Sequence, residues 1–360
     1  MAIVRSTSAG NAAAGNAAAD NAATGNASAG NASAGNAATD VVGRALRDGA
    51  PLRGVEFSCE ASTELDLAAA AADDAAARLA ASVADGSAAP VRYYSLGILS
   101  DQADLAQHAQ EVLGGRGLAL TLHPMDLDLA GTDPLDISVL RALRDRAREL
   151  DAAWVTTDLA MWVRGGEALI NNLVPMPLVP EAVDWCVPRI CRAQDVIDRP
   201  IVIGNAPYPF IVGNTDVLPL MAEIVERTGC LATIDIGHLY GLRRQQGRPL
   251  EQPGDDSFCW DHVVEVHLAG LVERVLPGGE RVFEDFHTVT ISPGVWELAA
   301  RLVPRARNLR ALMAECELMP RADLVHTICR LASALPRWLP GEDPPQERCS
   351  DDATCGSRLT

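Results

Sequence analysis

Eight short apolar runs recur along the chain: Val55–Ser58, Val91–Leu96, Leu118–His123, Ala153–Thr157, Pro200–Asn205, Leu231–Ile236, Val263–Ala269 and Leu309–Glu315. Amphipathic helical patterns lie between most of them, at Leu65–Val83, Asp136–Leu150, Pro180–Val196, Thr215–Thr228, Pro293–Val303 and Arg321–Leu335. Strands that are apolar along their whole length need both faces covered, which a parallel sheet with crossover helices provides. Eight such units predict an α/β fold of the closed (β/α)8 TIM type. A doubly wound open sheet is the rival, but no Gly-x-Gly-x-x-Gly follows an early strand. The polar, Pro- and Gly-rich stretch from Gly241 to Asp261 gives no firm helix.

A barrel of this kind carries its chemistry at the C-terminal ends of its strands. Those ends read His123, Asp158, Asn205, Asp235 with His238, His267 and Glu315, while Asp285 and His287 come after the seventh run. The first two runs end in Ser58-Cys59 and Ser95-Leu-Gly97 and offer little. Imidazoles and carboxylates together suit iron, manganese or zinc. Asp285-Phe-His287 puts two ligand types two residues apart in an extended segment, and Asp235-Ile-Gly-His238 spans a strand end and the turn beyond it. The set exceeds what one ion needs, so two ions bridged by a carboxylate are a natural reading. His108, His262 and His326 read instead as surface, capping and half-buried packing residues, and Trp154, Trp162, Trp185 and Trp296 as packing groups.

Composition narrows the chemistry. The chain has 360 residues and a net charge of −18, which argues against nucleic acid or an anionic membrane as main partner. All 30 basic residues are Arg, so a Schiff-base lysine and a Walker A loop are excluded. No apolar run spans a bilayer and no secretory signal core is present, which predicts a cytoplasmic protein. Nine cysteines form no Cys-x-x-Cys pair and read as packing residues. Cys316, beside Glu315, could face the site, although packing is the better reading. A barrel needs roughly 250 residues; the surplus lies at the ends. Asn-Ala recurs at positions 11, 16, 21, 26, 31 and 36 in a segment of small residues that can bury almost nothing. The expected organisation is a disordered repeat segment over 1–45, the barrel over 50–338 and a flexible tail over 339–360. Arg243-Arg244 reads as part of a solvated loop, with an acidic peptide leader as the alternative contact.

Several stretches together carry a resemblance. They are Leu122-His123 with Asp133-Pro-Leu-Asp136, Trp154-Val-Thr-Thr-Asp158-Leu159, Leu173-Val-Pro-Met-Pro177 and Arg199-Pro-Ile-Val-Ile-Gly-Asn205-Ala-Pro207. Thr228-Gly-Cys-Leu-Ala-Thr-Ile-Asp235, His267-Leu-Ala-Gly270, Asp285-Phe-His287 and Glu315-Cys-Glu317 complete them. In order and spacing this region resembles the DUF692 family of multinuclear non-heme iron-dependent oxidative enzymes, which includes the methanobactin-maturing oxidase. The resemblance implies a TIM-type barrel and irons that use O2 to modify cysteine residues of a ribosomally made peptide. It also implies a partner protein that presents the peptide. Three departures stand out: Asp158 replaces a histidine ligand, Gly204 stands where the family has a glutamate before Asn205, and Thr288 replaces an aspartate.

Together these features predict an oxidase with one or two irons held by His123, Asp235, His238, His267, Asp285, His287 and Glu315. Asp158 and Asn205 are the catalytic candidates, and zinc or manganese are alternative metals. Two other readings stand beside it: a xylose-isomerase-like metal-dependent isomerase, and a catalytically degenerate barrel that binds a peptide or partner.

Overall fold

A computed structural model describes residues 53–59, 62–169, 173–315, 317 and 319–339. The Asn-Ala repeats, the C-terminal tail and Cys316 lie outside the described residues.

Eight parallel strands close a barrel. They are β1 (Gly54–Cys59), β2 (Val91–Ile98), β3 (Ala119–Pro124) and β4 (Val155–Asp158), then β9 (Ile201–Gly204), β10 (Leu231–Asp235), β11 (Val263–Leu268) and β14 (Ala311–Ala314). The order around the barrel is β1-β14-β11-β10-β9-β4-β3-β2. Short two-residue strands, β5 (Ala160–Met161), β6 (Val163–Arg164), β7 (Glu167–Ala168) and β8 (Val174–Pro175), decorate the loop after β4. A longer hairpin, β12 (Leu271–Val275) and β13 (Arg281–Asp285), rises from the loop after β11. Every apolar run expected to be a strand is one.

Among the described residues, eight helices surround the barrel: α1 (Ser62–Ala84), α2 (Ala103–Leu113), α3 (Ile137–Glu149), α4 (Glu181–Ile197), α5 (Val217–Thr228), α6 (Ile236–Gln245), α7 (Pro293–Leu302) and α8 (Arg321–Trp338). Their apolar stripes bury Leu140, Leu143 and Ala147 of α3 and Met221, Ile224 and Val225 of α5 against the sheet. Asp136 and Asp216 cap α3 and α5 by accepting the backbone N–H two residues on, which satisfies donors the helix leaves open. No helix among the described residues is long and apolar enough to cross a membrane.

The stretch read as non-helical begins inside α6. Arg243, read as a solvated loop residue, is fully buried on that helix. Its guanidinium meets Asp255 at 2.5 and 3.0 Å and Asp216 at 3.3 Å, and donates to the Leu250 carbonyl. Pairing with two carboxylates is what makes a buried charge tolerable. Single-residue polarity hid the helix because Arg243, one of its polar members, is buried in this ion cluster. His326, read as half-buried, is exposed on α8.

Strand side chains alternate in direction, so every second residue of each strand points into the barrel, and these inward residues sort into layers. The lowest is apolar, with Tyr93, Trp154, Val202, Leu231 and Ala311 packed together. Above it lie the buried polar residues Glu56, Thr121, Thr156, Thr233 and Glu265. The top layer, at the C-terminal mouth, holds His123, Asp158, Asp235, His267 and Glu315.

Candidate metal centre

Register sets the top layer. Asp235 of β10 pairs with His267 of β11, and Asp158 of β4 pairs with Gly204 of β9. Asp235 has two tasks. Its Oδ1 caps α6 by accepting the backbone N–H of His238, which turns the chain so that the His238 ring folds back over the mouth. Its Oδ2 is buried with no hydrogen-bond partner. Asp235, His238 and Glu315 each offer a ligand atom within 4.8 Å of the others.

The hairpin closes the site from one side. Asp285 is its last strand residue, and its Oδ2 lies 2.9 Å from His238 Nε2 and 3.1 Å from His287 Nε2. His287 adopts φ 43°, a left-handed conformation rare for a residue with a side chain. The bend sends its ring back toward Asp285 and Glu315, with Glu315 Oε2 3.8 Å from Nε2. Strained backbone held in this way clusters at functional sites. Phe286, between the two, is left 58% exposed at the rim.

Each imidazole is held by an outer acceptor. His238 Nδ1 lies 2.8 Å from the Asn205 carbonyl, which can only accept, so Nδ1 carries a proton and Nε2 faces the cluster. His287 Nδ1 pairs with Glu317, again leaving Nε2 inward. His267 lies between two carboxylates, with Nε2 2.5 Å from Glu265 Oε1 and Nδ1 2.9 Å from Glu315 Oε1. An acceptor behind each ring is the usual support of a metal-binding histidine.

The electrostatics ask for a cation. Burial pushes the Asp235 carboxyl well above the ordinary range; His238 opposes this, while Glu315 and Asp285 add to it. Burial would also raise Asp285 and Glu315, but the facing imidazoles overcome it and hold both well below the usual range. Burial would lower the three imidazoles, yet neighbouring carboxylates outweigh it. Asp235 and Asp285 raise His238, Glu315 and Glu265 raise His267, and Glu317 and Asp285 raise His287, each well above the usual value. Asp235 Oδ2, Asp285 Oδ1, Glu315 Oε2 and His123 Nε2 are buried without a hydrogen-bond partner. Buried orphan acceptors are costly, and a metal ion among Asp235, His238 and Glu315 would satisfy the carboxylate oxygens that face it. The donor set, imidazole and carboxylate without thiolate, suits iron, manganese or zinc. The residues fit a metal ion.

His123 and Asp158 stand beside this cluster. The His123 ring lies edge-on to His267 and to Trp162, with centroids 6.2 and 6.3 Å away. Asp158 is 5% exposed; burial raises its carboxyl, and His238 and His123 pull against that. Two of the three departures noted in the sequence, Asp158 and Gly204, meet in space. A Cβ built on Gly204 falls 2.5 Å from Asp158 Oδ1, so the Asp158 carboxylate fills the room that a side chain at 204 would need. Asn205, a candidate catalytic residue, commits its amide to the backbone of Asp235 at 2.9 and 3.0 Å. In this arrangement it fixes Asp235 and, through its carbonyl, His238.

Three polar residues absent from the sequence-based set belong to the site's support: Glu56, Glu265 and Glu317. The signal for Glu56 and Glu265 is a carboxylate in an otherwise apolar strand, and Glu265 precedes His267 by two, hence on the same face. Trp154, expected to be a packing group, also donates its indole N–H to Glu265. Trp162 is buried beside the site and donates to the Asp158 carbonyl.

The fold and the site define a (β/α)8 barrel with a candidate metal centre at its C-terminal mouth. The sequence model of a family described as RiPP precursor modification enzyme MbnB/TglH/ChrH matches residues 99–334, more than half of the chain. The chain belongs to that family, whose members modify ribosomally made peptides, in agreement with the DUF692 resemblance. A UPF0276 protein of Caulobacter vibrioides is 26% identical over 226 residues, covering 62% of this chain and 77% of the relative. One from Acaryochloris marina is 29% identical over 189 residues, covering 52% and 66%. Among solved structures, a xylose isomerase domain containing protein from Salmonella typhimurium gives a TM-score of 0.49 at 14% identity, covering 80% of this chain and 99% of that one. Endonuclease IV from Thermus thermophilus gives 0.48 at 14%, covering 79% and 98%.

Proposed function

We propose that this chain is a non-heme iron-dependent oxidase that uses O2 to modify cysteine residues of a ribosomally made peptide. The observation that carries the reading is the buried cluster of Asp235, His238, His267, Asp285, His287 and Glu315 with its orphaned acceptor atoms, in a member of a peptide-modifying family. Those six residues hold the principal ion, and His123 with Asp158 offers a second, weaker position.

When bound, iron supplies the O2 binding and one-electron chemistry that amino-acid side chains lack. The protein's own groups do the rest. Asn205, Glu265 and Glu317 orient the three imidazoles, and α6 places His238 over the mouth. The apolar layer beneath keeps water from entering through the barrel. The exposed Phe286 at the rim, with Val275 and Leu276 toward the hairpin tip, offers apolar surface that suits a peptide chain. A partner protein that presents the peptide is part of this reading.

The test is O2 consumption by the iron-loaded full-length chain, supplied with a cysteine-bearing peptide and, in parallel, with the same peptide carrying Ser for Cys. The expected result is O2 uptake with a mass change confined to the cysteine peptide, abolished by His238→Ala. Iron loading without peptide-dependent O2 uptake would contradict oxidase activity and favour a barrel kept for binding.

A further inference from the structure

Resting on the metal-site reading above, we propose that Glu265 is a positioning residue that makes Nδ1 of His267, and not Nε2, the nitrogen this histidine presents to the metal. Glu265 and His267 are two apart on β11, so both side chains point into the barrel, and they are 0% and 1% exposed. The carboxylate is fixed at both oxygens. Oε2 accepts from the Trp154 indole N–H at 2.5 Å and from the Thr156 hydroxyl at 2.6 Å. Oε1 faces His267 Nε2 at 2.5 Å. An ionised carboxylate only accepts, so Nε2 must carry a proton in this arrangement and cannot also bind metal. The nitrogen left is Nδ1, which points at Glu315 Oε1 2.9 Å away, inside the cluster.

This orientation is the reverse of the other two imidazoles. His238 and His287 sit beyond the strand ends, on a helix and a hairpin. Their Nδ1 atoms are taken by the Asn205 carbonyl and by Glu317, leaving Nε2 for the ion. His267 is on the barrel strand itself, with its acceptor one layer deeper, so the outer end of the ring is drawn into the interior. The neighbours make Glu265 hard to replace even by its isostere, glutamine. With the glutamine oxygen turned to His267, the amide N–H2 is left against the Trp154 N–H, donor facing donor. Turned the other way, the amide donates to Nε2 and moves the ring proton to Nδ1, the coordinating position.

The test uses zinc as a diamagnetic probe on the full-length chain labelled with 15N-histidine. In wild type the His267 15N shifts and ring couplings are expected to show zinc on Nδ1 and a proton on Nε2. Glu265→Gln is expected to weaken zinc binding about ten- to hundredfold, the range typical of outer-shell partners. Thr156→Val, which removes one donor to Glu265 and leaves the carboxylate, is expected to weaken it severalfold while Nδ1 ligation persists. Zinc on Nε2 of His267, or affinity in Glu265→Gln within twofold of wild type, overturns the assignment while leaving the metal centre standing. Failure of wild type to bind zinc removes the metal centre and this assignment together.

Discussion

At the scale of single residues, the informative pair is Asp158 and Gly204. The two meet across neighbouring strands, where the Asp158 carboxylate and the Thr233 methyl occupy the space above Gly204. Gly204→Ala therefore forces Asp158 aside, and overpacking of this kind costs about 1–3 kcal/mol. The expected outcome is a lowered melting temperature that a second change, Asp158→Ala, partly restores, since the Thr233 methyl 2.9 Å from the same Cβ remains. Additive losses in the double variant would show that the two positions are independent. Asp235 separates two roles in the same way. Asp235→Asn keeps an oxygen for the His238 backbone N–H but removes the anionic ligand. Its circular dichroism should match wild type, while metal affinity, read by titration calorimetry, should fall at least tenfold.

Among the elements, the strands were the easiest to read. A run such as Val263-Val-Glu-Val-His267 is apolar because both sheet faces are covered, and its two polar residues share the inward face. The candidate ligands at the strand ends were legible for the same reason. The β12–β13 hairpin was not, because Arg274, Glu273, Arg281 and Glu284 make it polar and only its far end, Asp285-Phe-His287, carries a recognisable pattern. Helix α6 was hidden too, since its buried Arg243 counts as a loop residue until Asp216 and Asp255 are seen beside it. Removing one partner from a buried ion cluster costs about 3–5 kcal/mol. Arg243→Leu should therefore lower the melting temperature by roughly 10 °C, as read by calorimetry. A shift of a degree or two would mean that Asp216 and Asp255 find other partners. The supporting carboxylates Glu56 and Glu265 were overlooked because the strand ends carry the obvious ligand types and the layer below them does not.

For the whole molecule, the barrel gathers side chains from β10, β11, β14, α6 and a hairpin into one buried anionic cluster whose imidazoles are pushed toward the protonated form. Histidines with raised values in the metal-free chain contribute stability that is present below the ordinary histidine range and lost as pH rises through the raised values. A metal ion competes with those protons, so uptake should release protons and affinity should climb with pH. Calorimetry in buffers of different ionisation enthalpy reads this directly, and proton-neutral binding would contradict it. The measurement that tests the metal centre most directly is metal content by mass spectrometry on the full-length chain purified without air, beside an Asp285→Ala, His287→Ala double variant. The expected result is one to two irons per chain, lost in the double variant. A chain that retains no metal, or a variant that retains as much iron as wild type, would contradict an iron centre at the barrel mouth.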